Sequence, residues 1–138
     1  MATIGVLICD DVAGIRSLLR VVLGLSPRLR VVGEASDGRE AIAEAARTQP
    51  DVVLLDLVMP NMDGLEALPE IRRVAPAARV VILSGLDASA MAEQALKLGA
   101  VRYLEKGTDP DRIAATVEEM ADIVVQPHPE RRRGIGRI

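Results

Sequence analysis

Five short runs of aliphatic and β-branched residues recur along the 138-residue chain: Ile4–Cys9, Arg30–Ala35, Val52–Asp56, Arg79–Ser84 and Val101–Glu105. Each is too continuously apolar for a half-exposed strand and reads as a strand buried on both faces. Segments of helical period separate them. In the first, Ile15, Leu18, Leu19 and Val22 share a face, and Ser26-Pro27 ends it. The second covers Gly38–Thr48, with Ala41, Ile42, Ala45 and Ala46. The third starts near Gly64 and carries Leu65, Leu68 and Ile71; its internal Pro69 should cost a backbone hydrogen bond or kink it. The fourth, Ala88–Leu98, runs into Gly99, a favourable residue just past a helix end. The fifth has Asp109 as N-cap, Pro110 at its first position, and Ile113, Val117, Met120 and Val124 along one stripe before Pro127 stops it. A strand–helix pair repeated five times gives a parallel sheet with helices on both faces, and right-handed crossovers leave few topologies. The predicted fold class is α/β: a doubly wound five-stranded parallel sheet in the order 2-1-3-4-5, the flavodoxin-like (βα)5 arrangement.

Composition narrows the chemistry. Hydrophobic residues make up 49%, yet the aromatics are a single Tyr with no Phe or Trp. The core must be aliphatic, and base stacking on aromatic platforms is unavailable, which counts against a single-strand nucleic-acid binder. The net charge is −3; four Arg and one Glu in Pro127–Ile138 leave the rest of the chain at −6. An acidic body gives no support for phosphate-backbone binding. One Cys allows no internal disulfide, so a reducing cytosol is the expected compartment. No apolar stretch reaches membrane-spanning length, and the N-terminus lacks a signal-peptide pattern. The expected organisation is one domain over residues 1–126 and a basic tail or linker stub over 127–138.

Two of the buried strands end in acid: V-L-I-C-D-D puts Asp10 and Asp11 after the first, and V-V-L-L-D puts Asp56 at the end of the third. In a doubly wound sheet ligands bind at the carboxyl ends of the strands where the winding reverses, here between the first and third strands. Three carboxylates brought together there repel one another, which raises their pKa values or demands a cation. Hard oxygen ligands on a rigid sheet edge suit Mg²⁺. The fourth strand brings the Ser84 hydroxyl to the same edge and the fifth brings Lys106, one of only two Lys beside fifteen Arg. An ammonium is a compact point charge. A cation, an ammonium, a hydroxyl and a carboxylate together suit a phosphoryl group, with the carboxylate able to attack phosphorus.

The segment D-L-V-M-P-N-M-D-G-L-E (Asp56–Glu66), with I-C-D-D, I-L-S-G and Y-L-E-K, closely resembles the motifs of two-component response-regulator receiver domains over about the first 125 residues. V-V-G-E-A-S-D-G-R-E-A, A-L-K-L-G-A and K-G resemble the subfamily that usually carries a helix-turn-helix output domain. The resemblance implies a signalling switch that catalyses its own phosphorylation and dephosphorylation rather than turning over a metabolite. Asp56 would accept phosphate from a sensor histidine kinase. Asp10, Asp11, Asp56 and the backbone carbonyl of Val58 would hold Mg²⁺. Lys106 would pair with the phosphoryl group, Ser84 would swing toward it, and Tyr103 would turn inward behind Ser84. The surface of the fourth helix, fifth strand and fifth helix would then change its partner affinity, with homodimerisation through it common in the family. DNA would be reached only through an output domain, for which the thirteen residues after Val125 leave no room. No membrane contact is implied. The sequence departs from the family in having Gly107 where Pro often follows the lysine, and apolar Val58 and Leu86 at two positions that influence dephosphorylation.

Blander readings stand beside these. Taken singly, Ser84 is an ordinary strand-end polar group, Tyr103 packing with a wet hydroxyl, Cys9 a small buried hydrophobe, Met59 and Met62 loop and core packing, and Arg131–Arg133 a solvated charged end. Two functional rivals come from other classes. A Mg²⁺-dependent phosphohydrolase would want a general acid near Asp56, but Leu57-Val58 follows, and there is no spare length for a cap. A flavodoxin-type electron carrier would want phosphate-binding turns and aromatics for the ring, and neither is present. A folded but unphosphorylated pseudo-receiver is the softer alternative, opposed by the intact acids and Lys106.

Overall fold

A computed structural model describes residues 3–85 and 89–124. The strands are β1 (Ile4–Cys9), β2 (Leu29–Ala35), β3 (Val52–Leu55), β4 (Arg79–Ser84) and β5 (Arg102–Glu105), and the helices are α1 (Ala13–Gly24), α2 (Gly38–Thr48), α3 (Gly64–Val74), α4 (Ser89–Lys97) and α5 (Pro110–Ala121). All pairings are parallel, in the predicted order β2-β1-β3-β4-β5. The alternation of side chains along each strand divides the core in two. Leu7, Cys9, Val53, Leu55 and Ile82 face Ala41, Ala45, Leu68, Ile71 and Ala95 of α2, α3 and α4. Ile8, Leu54, Val81 and Leu83 face Leu19, Leu23, Ile113 and Val117 of α1 and α5.

The expectation that every strand is buried on both faces holds for β1 and β3, where every residue is buried, and nearly so for β4. It fails for β2 and β5. These are the edge strands, and their outer residues meet solvent. Leu18 also leaves the predicted stripe of α1 and is 57% exposed. The last helix ends at Ala121, where Asp122 and Ile123 donate to Glu119 and Met120 in a tightened final turn, so Val124 lies beyond it and is largely exposed. Pro127 falls outside the described residues.

Local signals at the other helix ends are as predicted. Asp109 accepts from the Asp111 amide and Pro110 occupies the first position of α5. Gly99 has φ +109, and the amides of Gly99 and Ala100 close back onto Leu96 and Ala95, the paired bonds of a left-handed helix stop. α3 continues across Pro69 to Val74, held by buried Leu68 and Ile71. Its start carries a second requirement. A Cβ added to Gly64 would lie 2.3 Å from the Asp56 carbonyl oxygen and 2.9 Å from Leu57 Cα. Both are backbone atoms and cannot rotate away. Gly64→Ala is therefore expected to destabilise the fold by about 3 kcal/mol through overpacking, read as a lower urea midpoint at unchanged slope; a midpoint equal to wild type would show that this contact relaxes freely.

Candidate functional site

Strand register builds the site. Cys9 pairs with Leu55, so the next residues, Asp10 and Asp56, emerge side by side at the carboxyl edge. The Asp56 amide donates to the Cys9 carbonyl at 2.9 Å, which extends the ladder one step past the strands. On the other side Ser84 pairs with Glu105, and the Lys106 amide donates to the Ser84 carbonyl at 2.8 Å. The sheet thus delivers two acids, a hydroxyl and an ammonium to one rim.

Their side chains meet. Lys106 Nζ lies 2.9 Å from Asp10 Oδ2 and 3.0 Å from Asp56 Oδ2. Asp56 Oδ1 accepts from Ser84 Oγ at 3.3 Å and from the Val58 amide at 3.2 Å. Asp10 Oδ1 accepts from the Val12 amide at 2.9 Å. Asp10, Asp56 and Ser84 are buried, whereas Asp11 is exposed at the mouth. Carboxylate oxygens of Asp10, Asp11 and Asp56 all fall within 4.8 Å of one another. Bonds of about 2.1 Å put octahedral ligands about 3 to 4.2 Å apart, so these hard oxygen donors can hold Mg²⁺ by closing on it.

Burial pushes the Asp56 carboxyl above its ordinary value of 3.8; the Lys106 hydrogen bond and charge pull it back in part, and the neighbouring Asp10 charge adds to the rise. Burial also works against the Lys106 charge, but its bonds to Asp10 and Asp56 outweigh that and hold the ammonium above the usual lysine value. Cys9, fully buried beneath the acids, has its thiol pushed far up and stays protonated as a small core side chain.

The site therefore contains a buried carboxylate flanked by an ammonium, a hydroxyl and a backbone N–H, a constellation able to receive a phosphoryl group and neutralise its charge. Residues 6–118 match the response regulator receiver domain family. The chain belongs to that family. It is 34% identical over 116 residues to the chemotaxis protein CheY of Thermotoga maritima, covering 84% of this chain and 96% of the relative. It is 39% identical over 128 residues to a protein-glutamate methylesterase/protein-glutamine glutaminase of Carboxydothermus hydrogenoformans, covering 91% of this chain but 35% of that longer protein. The crystal structure of a LuxR-family two-component response regulator from an Aurantimonas species superposes with a TM-score of 0.82 at 31% identity, covering 99% of this chain and 97% of the other. Receiver domains bind Mg²⁺ through an acidic pocket and are switched by phosphorylation. Among the described residues no helix is long and apolar enough to cross a membrane.

The structure brings together Asp10, Asp11, Asp56, Ser84 and Lys106. Val58 sits beside them, 63% exposed, with its amide on Asp56. Tyr103 lies two residues before Glu105 on β5, its ring partly buried against the core and its hydroxyl donating to the Gly85 carbonyl at 3.4 Å, next to Ser84. Met59 is buried and Met62 partly so, as packing residues. Leu86 lies outside the described residues. Two supports went unread in the sequence. Arg16 reaches back to the Asp10 carbonyl at 2.7 Å. The loop after Asp56 is braced on α2, with the Gly38 amide on the Met62 carbonyl at 2.8 Å and Asn61 Nδ2 on Asp37 at 3.0 Å. The D-G pair ahead of α2 was the available signal for the second.

Proposed function

We propose that this receiver accepts a phosphoryl group on Asp56 from a sensor histidine kinase or a small phosphodonor, in a Mg²⁺-dependent reaction. The observation that carries the reading is the pairing of a buried Asp56 with Lys106 at 3.0 Å, beside two further acids. A carboxylate oxygen of Asp56 attacks phosphorus, the bond from phosphorus to the donor's nitrogen or oxygen breaks, and an acyl phosphate forms. The leaving group takes its proton from solvent or the donor protein. Asp10, Asp11, Asp56 and the Val58 carbonyl would hold Mg²⁺, which would supply a Lewis acid for the phosphoryl oxygens. Lys106 stays charged and turns from the acids to a phosphoryl oxygen. Ser84 rotates its hydroxyl from Asp56 Oδ1 to another.

That rotation is the switch. Once Ser84 moves, the space beside it is open to the Tyr103 ring, whose hydroxyl donates to the neighbouring Gly85 carbonyl. The surface formed by α4, β5 and α5 then takes a second arrangement with a different affinity for its partner. Likeness to a LuxR-family regulator supports transcription as the output, with DNA reached through a separate output domain and homodimerisation through the α4, β5 and α5 surface as one form of the readout. The basic tail or linker expected over residues 127–138 lies outside the described residues.

The test is intact mass after incubation with acetyl phosphate, with Mg²⁺ or with EDTA. One added phosphoryl group that requires Mg²⁺ is the expected result. No adduct under either condition would leave a pseudo-receiver. The adduct should also be long-lived. Exposed, aliphatic Val58 stands where a water must approach the acyl phosphate and offers it no hydrogen bond. Val58→Asn is expected to shorten the lifetime several-fold after the donor is removed; a decay no faster than wild type would count against this role.

A further inference from the structure

The reading above leaves open what places the two metal-binding acids. Every polar atom of Asp10 has a partner. Its amide donates to the Ala35 carbonyl at 3.0 Å, Oδ1 accepts from the Val12 amide at 2.9 Å, Oδ2 meets Lys106 at 2.9 Å, and its carbonyl accepts from Arg16 Nη1 at 2.7 Å. Asp11 is different. It is exposed, and among the described residues nothing holds its carboxylate. With only χ1 and χ2 beyond the backbone, how far it can reach toward Asp56 depends on where the backbone puts its Cα. The peptide that joins Asp10 to Asp11 is the one whose oxygen Arg16 grips. The entry to α1 gives little other support, since Val12 at the N-cap supplies no side-chain cap and the first turn carries no acid.

Arg16 is itself aimed. Its Nε donates to Glu34 Oε1 at 3.0 Å, near the end of β2, and Arg20 one turn further along α1 pairs with the other oxygen of Glu34. A guanidinium is a rigid planar fork, so fixing Nε on Glu34 fixes the direction of the nitrogen that reaches Asp10. We propose that Arg16, oriented by Glu34, is a positioning residue for the metal site, holding the Asp10–Asp11 peptide so that both carboxylates face Asp56. The inference rests on the Mg²⁺ reading above and concerns residues that touch neither metal nor phosphoryl group.

The experiment compares wild type, Arg16→Gln, Arg16→Lys and Glu34→Gln as full chains. It measures Mg²⁺ affinity by calorimetry, amide hydrogen exchange at Asp11 and Val12 without metal, and Tm. Arg16→Gln is expected to weaken Mg²⁺ binding about tenfold, the lower end for partners that orient metal ligands, and to speed exchange at Asp11 and Val12. Arg16→Lys keeps the charge but loses the fork, and should recover only part of the affinity. Glu34→Gln, at a partly exposed site, should fold and shift affinity in the same direction by less. A role confined to packing α1 on β2 would lower Tm and leave affinity within twofold of wild type, which overturns the proposal. Full recovery by Arg16→Lys overturns it too, because charge alone would then suffice. A wild type that binds no Mg²⁺ overturns the metal reading instead, and the exchange rates at Asp11 and Val12 then decide the place of Arg16 alone.

Discussion

Asp56→Asn is expected to abolish the phosphoryl adduct and, in the same protein, to raise stability. The first effect follows from the nucleophile: an amide oxygen does not form the acyl phosphate, and among the described residues no other carboxylate is bonded to both Lys106 and Ser84. The second follows from burial. Asp56 is 3% exposed, and its carboxyl is pushed up first by burial and further by Asp10, against the opposing pull of Lys106. A carboxyl whose folded pKa is raised costs the native state in its charged form. Asn has the same shape and keeps an acceptor for Ser84 and the Val58 amide, while Lys106 keeps Asp10. The gain should appear as a Tm raised by a few degrees.

The pH dependence carries a definite sign. A raised carboxyl adds stability that is present below its ordinary value of 3.8 and lost as pH rises through the higher folded value. The advantage of Asp56→Asn over wild type should therefore grow as pH rises through the folded value and close as the solution is acidified toward 3.8. EDTA must be present, because a bound cation would stabilise wild type by mass action. Urea unfolding of both proteins from pH 4 to 8 reads this. An Asn variant less stable than wild type at pH 7 would mean that the Lys106 pair outweighs burial.

Much of this was legible because two simple codes coincide. Apolar runs of strand length alternating with helical period specify a parallel sheet, and the type of residue at each strand end survives into space because parallel strands end together. Asp10, Asp56, Ser84 and Lys106 needed nothing further. What escaped depends on contacts between distant segments. Arg16 and Arg20 look like the solvated edge of an amphipathic helix until β2 places Glu34 against them. Gly64 reads as a helix start, and only the structure shows the Asp56 carbonyl packed on its Cα. The exposed outer residues of β2 and β5 were misjudged for a related reason, since a run of Val or Leu does not say whether its strand lies at the centre or the rim of the sheet. The early end of α5 was missed because Val124 continues the apolar period past the point where the backbone has turned.

Lys106→Met should give the opposite result to Asp56→Asn. Among the described residues Lys106 is the one cation bonded to both Asp10 and Asp56, each with a side chain 3% exposed. Without it two adjacent buried carboxylates face each other with no countercharge, and removing one partner of such a cluster is costly. The ammonium keeps some contact with water, its side chain being 26% exposed, so the loss is set at about 2 kcal/mol rather than at the fully buried limit. Because the folded pKa of Lys106 is raised, its contribution is complete below 10.5 and fades only as pH climbs through the folded value. The deficit should thus persist across the neutral range. Mg²⁺ should restore much of it, since the three acids can take their countercharge from the metal, and the Mg²⁺-induced rise in Tm should be larger in Lys106→Met than in wild type. Phosphorylation should not be restored with it. The metal satisfies the acids, but the ammonium is also needed for the phosphoryl oxygen on the far side of Asp56, and that position would hold a thioether. Scanning calorimetry with EDTA and with Mg²⁺, beside the rate of adduct formation from acetyl phosphate, separates the two duties. A variant as stable as wild type in EDTA would show that the acids are held without Lys106; one phosphorylated at the wild-type rate would remove Lys106 from the chemistry.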